Sequence, residues 1–132
     1  MSTAAEQLIT EVDFVGIHTR DMARAVEFYG NTLGLRRSVY NPERGFAEFE
    51  TGNLTLSIFN AEMVGIEHHE LRTPLAFRVD DVAATRATLE GRGVVFVGET
   101  IDSGVCHIAI FQDPDGNGMM LHRRYAPRVT ES

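Results

Sequence analysis

The stretch FVGIHTRDMARAVEFY at residues 14–29 is followed, 60 residues later, by the similar stretch PLAFRVDDVAATRATL at residues 74–89. Each begins with alternating apolar residues, which is typical of a strand, and continues through an aspartate into an amphipathic helical segment. Asp21 and Asp81 are placed to cap the two helices, because a carboxylate accepts hydrogen bonds from the free N–H groups of a first helical turn. The repeat predicts two modules of the same architecture.

Three further strands are predicted after each helix. The helices end before Gly34 and Gly93, where a left-handed residue is easiest as glycine. The candidate strands lie at about 35–40, 46–50 and 54–59 in the first half and at about 94–98, 105–112 and 118–124 in the second. DPDGN at 113–117 is a turn, since Pro presets φ while Gly and Asn accept positive φ. The pattern predicts an α+β fold with two tandem βαβββ modules in a single domain spanning 1–132. Module one covers about 12–60, the polar linker about 61–72, and module two about 73–124.

One face of each predicted strand must cover a helix, and the opposite face is left to line a cleft inside a curved mixed sheet. Alternation assigns the helix-facing side to Val15, Ile17, Leu54, Leu56, Ile58, Leu75, Phe77, Ile108, Ile110, Met119 and Leu121. It assigns the concave side to Phe14, Gly16, His18, Thr55, Ser57, Phe59, Pro74, Ala76, Arg78, His107, Ala109, Phe111, Gly118, Met120 and His122.

Composition narrows the classes of partner. The chain has 132 residues, 43% of them hydrophobic, and a formal net charge of −7 with a pI of about 5.1. An acidic chain without a Lys/Arg cluster is not expected to bind nucleic acid. No apolar run approaches the length of a membrane span, and the N-terminus lacks the pattern of a secretory signal. Cys106 is the only cysteine, so no intrachain disulfide is possible and a cytoplasmic location is expected.

The stretches FVGIHTRDMARAVEFYGNTLGL (14–35), PLAFRVDDVAATRATL (74–89) and FQDPDGNGMML (111–121) resemble the vicinal oxygen chelate superfamily. That superfamily includes glyoxalase I, extradiol dioxygenases, and fosfomycin and bleomycin resistance proteins. The resemblance covers roughly residues 12–124. It implies paired βαβββ modules whose sheets curl around a cleft, commonly within a homodimer. It does not specify a reaction, because one fold hosts many chemistries.

The resemblance also implies four positions for the metal ligands of the metal-dependent members. In this chain those positions hold Phe14, Ser57, Pro74 and Met120. None of these side chains is suited to a hard or borderline divalent ion, and a catalytic metal site needs about three protein ligands. No cofactor is therefore expected, and a divalent metal would require non-standard ligands.

Histidines are the remaining candidates for acid/base chemistry, since imidazole titrates near neutral pH. His18, His107 and His122 are predicted on the concave side, with His18 and His122 as candidate general acids or bases. Polar lining of a cleft is the alternative, and a displaced metal site completed by Glu48 is another. His68 and His69, in the linker, are expected to be solvated.

Further residues are candidates for contacts with a small ligand. Arg78 would clamp a carboxylate or phosphate, or else pair with Glu48 or Glu50. An aromatic wall is predicted from Tyr40, Phe46 and Phe59, unless these side chains belong to the core. The predicted ligand-binding set is His18, Tyr40, Glu48, Phe59, Arg78, His107, Phe111, Met120 and His122.

Three functions stay open at this point. The first is a metal-free protein that binds or sequesters a small, cationic or aromatic ligand, as a cytoplasmic homodimer. The second is an enzyme of the superfamily, a lyase, isomerase or dioxygenase, with shifted ligands or acid/base catalysis by cleft histidines. The third is a regulatory domain with a vestigial cleft.

Overall fold

The computed structural model describes residues 5–128. Module one contains β1 (Phe14–His18), α1 (Met22–Glu27), β2 (Arg36–Asn41), β3 (Phe46–Glu50) and β4 (Thr55–Phe59). Module two contains β5 (Leu75–Arg78), α2 (Val82–Gly91), β6 (Phe96–Asp102), β7 (Cys106–Gln112) and β8 (Gly118–Arg124). One short 3-10 turn, Glu62–Val64, lies in the linker.

The two modules form two separate four-stranded mixed sheets, ordered β1-β4-β3-β2 and β5-β8-β7-β6. The first strand of each module pairs in parallel with the last, and the other pairs are antiparallel. This confirms the predicted α+β class and the two βαβββ modules. The repeat seen in the sequence is thus a repeat of topology.

Both helices begin at the predicted aspartates. The Asp21 carboxylate accepts from the Arg24 N–H at 3.0 Å, and that of Asp81 accepts from the Ala84 N–H at 2.9 Å. α1 continues into a π-helical turn at Phe28–Thr32, whose wider loop is closed by the Leu33 N–H on the Phe28 carbonyl. Such a turn shifts the buried side of a helix, and Tyr29 lies fully buried there.

A single hydrophobic cluster joins the helix-bearing faces of both modules. Module one contributes Ile17, Phe49, Leu56 and Ile58, and module two contributes Leu89, Phe96, Phe111, Met119 and Leu121. The predicted helix-facing side is confirmed for β1, β4, β5 and β8. The face of each sheet that carries no helix is called the open face below.

The prediction for β7 is wrong by one residue of phase. Ala109 and Phe111 are fully buried and lie opposite Leu121 and Met119 of β8, on the helix side. Ile110 lies opposite Met120 on the open face. The segment VCHIAIF is apolar on both faces, so alternation alone does not distinguish them, and a shift of one residue exchanges every side chain.

Phe111 and His107 therefore do not line the open face as predicted. The Phe111 ring packs in the core, 5.2 Å from the ring of Phe96. His107 lies on the same side near the start of β7, with its ring 4.9 Å from that of Tyr125 and its Nε2 3.4 Å from the Asp102 carboxylate.

Tyr40 is also on the other side of its sheet. It lies opposite Ala47, a fully buried residue of the helix side, and Arg37 stacks over its ring at 4.6 Å. A bulge between Arg37 and Val39 changes the register of β2. A bulge inserts one residue and so reverses the faces beyond it, which strict alternation does not anticipate.

The DPDGN turn of module two fastens the modules together. The Asp115 carboxylate accepts from the Thr19 hydroxyl and from the Arg20 N–H, and it pairs with Arg24 at 3.0 Å. Asn117 donates to the His18 carbonyl at 2.9 Å. The turn predicted from its Pro and Gly residues is thus also the junction that orients the two sheets.

None of the helices within residues 5–128 is both long and apolar enough to cross a membrane.

Candidate functional site

The four residues at the positions that the resemblance implies for metal ligands lie on or beside the open faces. Phe14 lies opposite Thr55 and is 57% exposed, and Ser57 lies opposite Gly16. Met120 lies opposite Ala76, and Pro74 immediately precedes β5.

These side chains do not fit a divalent metal, because none supplies an imidazole or a carboxylate. Between residues 5 and 128, no three His, Cys, Asp or Glu side chains come together in an arrangement that could hold an ion.

His18 is held by the linker. Its Nδ1 accepts a hydrogen bond from the His69 N–H at 2.9 Å, so a neutral His18 carries its proton on Nε2. Its ring meets the ring of Phe59 edge-on at 4.7 Å. Burial, followed by the neighbouring His68 and His69, lowers the pKa of His18 below 6.5. Only Nε2 therefore remains for a ligand, and the ring is neutral at pH 7.

His68 is buried, contrary to the expectation of a solvated linker imidazole. It is 8% exposed, its ring lies 5.7 Å from that of His18, and its Nδ1 has no hydrogen-bond partner within the described chain. The linker folds back because the Leu71 N–H donates to the Asn117 side chain at 2.7 Å. The polar sequence IEHHEL gives no periodic signal for this, since the contact depends on module two.

The open face of the first sheet brings together four predicted residues, His18, Phe46, Glu48 and Phe59. Glu48 lies opposite Ser57. Its neighbour along the strand, Glu50, accepts hydrogen bonds from the Ser38 and Thr55 hydroxyls, which lower the pKa of Glu50. These carboxylates therefore make that face acidic.

The open face of the second sheet brings together the other three, Arg78, Met120 and His122. Arg78 lies directly opposite His122 across the parallel pair of β5 and β8. In the part of the chain that the structure describes, Arg78 forms no ion pair, so the alternative of pairing with Glu48 or Glu50 is not realised.

A cavity of about 390 Å³ lies between the modules. Module one lines it with Leu33, Leu35, Thr51, Asn53, Leu54 and Leu56. Module two lines it with the β5 residues Leu75–Arg78, with Val79 directly after that strand, with Thr85 and Leu89 of α2, and with Leu121. The sequence identified several of these as apolar helix-facing residues, but a space between modules depends on how the modules dock, which no local pattern encodes.

The cavity differs in place from the cleft predicted on the open faces. Leu56, Phe77 and Leu121 belong to the helix side, whereas Ala76 and Arg78 belong to the open side of β5. Since β5 is the edge strand of its sheet, residues of both its faces reach the cavity. Arg78 thus connects the predicted cleft with the observed cavity.

Comparison with known proteins agrees with this architecture. Residues 11–121 match the model of the Glyoxalase/Bleomycin resistance protein/Dioxygenase superfamily. The chain is 30% identical over 115 residues to YraH of Bacillus subtilis (strain 168), an alignment covering 78% of this chain and 90% of YraH.

Two solved structures illustrate the likeness in three dimensions. TnmS3, an antibiotic binding protein from Streptomyces sp. CB03234, is 25% identical with a TM-score of 0.76, over 90% of this chain and 99% of TnmS3. A glyoxalase family protein from Bacillus anthracis is 20% identical with a TM-score of 0.77, over 91% of this chain and 99% of the other. At that identity the second likeness shows the fold alone. From the family match and the shared architecture, the chain belongs to the Glyoxalase/Bleomycin resistance protein/Dioxygenase superfamily.

Proposed function

We propose that this chain is a small-molecule-binding protein that works without a metal at the family's usual positions. The observation that carries the proposal is the cavity of about 390 Å³ between the modules. Its volume lies in the range of about 300–1,000 Å³ typical of ligand sites, and an apolar lining with few polar groups is also typical. Leucines from both modules supply half of the residues that line it.

The chemistry of the open faces supports binding over metal-assisted catalysis. Phe14, Ser57, Pro74 and Met120 occupy the ligand positions, and a Lewis-acid role at those positions needs side chains that coordinate. TnmS3, which shares the fold, is described as an antibiotic binding protein. The likeness supports binding as a function of this chain without specifying the ligand.

The alternative function is metal-free acid/base catalysis by His18 or His122. The observation that favours it is the neutral His18 ring with Nε2 left unoccupied by the linker. Such an enzyme would lose turnover in His18→Gln while retaining its affinity for substrate. A binding protein would show no turnover to lose.

We also propose a homodimer in a reducing, cytoplasmic compartment. The open faces carry exposed apolar residues, Phe14 at 57%, Val97 at 60% and Ile101 at 48% exposure, whose burial by a second copy would be favourable. The buried free thiol of Cys106 suits a compartment in which thiols stay reduced.

Blocking the cavity tests the proposed function. Ala76 is exposed and lines the cavity, so Ala76→Phe adds bulk there without disturbing the core. Ala87→Phe, on the exposed side of α2 and outside the cavity lining, is the matched control. With the neutral probe N-phenylnaphthylamine, wild type and Ala87→Phe should show saturable fluorescence, and Ala76→Phe should lose it. Equal binding by all three would contradict the proposed site.

A further inference from the structure

Among residues 5–128, Arg78 is the only charged residue that lines the cavity between the modules. The apolar wall around it includes Leu54, Leu75, Phe77 and Leu89. A lone cation beside a largely apolar space discriminates among ligands by charge, because it attracts an anion and repels a cation. Arg78 is exposed, so a ligand can reach it from solvent.

We propose that the cavity takes an apolar monoanion, with its carboxylate or sulfonate held by Arg78 and its apolar body among the leucines. The proposal rests on the proposed binding function and adds the chemical class of the ligand. A guanidinium is suited to this role because its planar fork donates two parallel hydrogen bonds to a planar carboxylate.

Arg78 is available for such a contact. In the described chain it makes no ion pair, and Asp80, two residues on, does not pair with it. By contrast, Arg24 and Arg86 are engaged with Asp115 and Glu90. The charge of Arg78 is therefore left for a ligand.

The surrounding face also favours an anion. The open-face residues of β5, β7 and β8 include no carboxylate, although the chain has 19 acidic residues against 12 basic ones. His122 lies opposite Arg78, and Arg124 follows on the same face of β8. On the first sheet, by contrast, the open face carries Glu48 and Glu50. An anion that approaches Arg78 thus meets a locally basic surface on an acidic protein.

Two probes with the same aromatic skeleton separate the charge from the apolar contact. Anilinonaphthalene sulfonate carries the anion, and N-phenylnaphthylamine lacks it. In Arg78→Gln, affinity for the sulfonate should fall about tenfold, the loss of one charge-assisted hydrogen bond, while affinity for the neutral probe changes by less than about twofold. Arg123→Gln is the matched control, because Arg123 lies next to His122 on β8 but on the opposite face.

The salt dependence of sulfonate affinity distinguishes a direct contact of Arg78 with the anion from a purely structural role, which would not change that dependence. Raising ionic strength should weaken sulfonate binding to the wild type and leave binding to Arg78→Gln nearly unchanged, because screening acts on the charge that the variant lacks. Arg78→Lys should retain the salt dependence with reduced affinity. Thermal melts establish that each variant is folded.

The outcomes distinguish the two proposals. Equal sulfonate affinity in wild type and Arg78→Gln, with the neutral probe still bound, would overturn the anion assignment and leave the binding function standing. If folded wild type binds neither probe, the binding function itself is overturned. This holds also if the reason is that a second copy of the chain fills the cavity.

Discussion

The Tyr29 hydroxyl donates a hydrogen bond of 2.6 Å to the buried carboxylate of Asp113, and so joins the helix of module one to the turn of module two. Tyr29 is fully buried. Burial, and then the negative charge of Asp113, raises the pKa of Tyr29 well above 10. The phenol is thus held protonated as a donor, and the hydrogen bond ties module one to module two.

Tyr29→Phe should lower the free energy of unfolding by about 1–3 kcal/mol, because a buried charged acceptor loses one donor. Asp113 keeps its hydrogen bonds from Asn117, which limits the loss. Tyr125→Phe is the matched control, since Tyr125 is 50% exposed and bonds to exposed Asp102. Its effect should stay within about 0.5 kcal/mol in urea unfolding. Equal effects of the two substitutions would contradict a structural role for the Tyr29 contact.

Gly118→Ala should destabilise the chain by about 1–3 kcal/mol through overpacking. A Cβ at Gly118 would lie 3.1 Å from the Arg72 carbonyl oxygen and 3.3 Å from that of Leu71, both backbone atoms. Gly91→Ala is the control, because that helical glycine has nothing within 4 Å of an added Cβ. It should be neutral or stabilise by up to about 1 kcal/mol. Denaturant unfolding of both variants checks the pair, and a neutral Gly118→Ala would mean that the linker yields easily.

Stability should decrease as pH falls below 6.5 in a way that depends on His18. Folding lowers the pKa of His18 from 6.5, so the unfolded chain binds a proton at this residue more readily than the folded chain does. The contribution of His18 to the free energy of unfolding is therefore complete above pH 6.5 and is lost as the pH falls through the lowered pKa. Protonation also removes the Nδ1 acceptor that binds the His69 N–H.

Urea midpoints of wild type and His18→Gln, compared between about pH 7.5 and pH 5, isolate this contribution. The difference between the two proteins should shrink toward acid pH. His122→Gln, which leaves the His18 contacts in place, serves as the comparison. A difference that is constant with pH would disprove the coupling of His18 to the linker.

Protein purified without added metal should hold far less than one equivalent of Ni, Zn, Fe, Mn or Mg. Phe14, Pro74 and Met120 offer no hard donor. Added Zn²⁺ or Ni²⁺ should therefore not bind the folded state and should not raise Tm. Elemental analysis and thermal melts measure both. Stoichiometric metal that survives dialysis against a chelator would contradict the metal-free account.

The sequence was sufficient for the architecture because its signals are local. Asp21 and Asp81 cap their helices where they were expected, and alternation in β1 and β5 assigns Ile17 and Phe77 to the helix side. The open-face positions of Arg78 and His122 followed from the same alternation.

The alternation of apolar residues does not assign side chains to a sheet face where both faces of a strand are apolar or where a bulge interrupts the strand. Phe111 was assigned to the wrong side because β7 is hydrophobic throughout, and Tyr40 because of the bulge before Val39. The burial of His68 and the cavity beside Leu89 arise from docking of linker and modules, which depends on contacts distant in sequence.

The most direct test of the central claim is titration of folded, chelator-treated protein with the neutral probe N-phenylnaphthylamine, followed by its fluorescence. The account predicts saturation at about one probe per chain, as for a single preformed site, with loss of binding in Ala76→Phe and retention in Ala87→Phe. Absence of saturable binding, or binding that Ala76→Phe leaves intact, would contradict a metal-free ligand site between the modules.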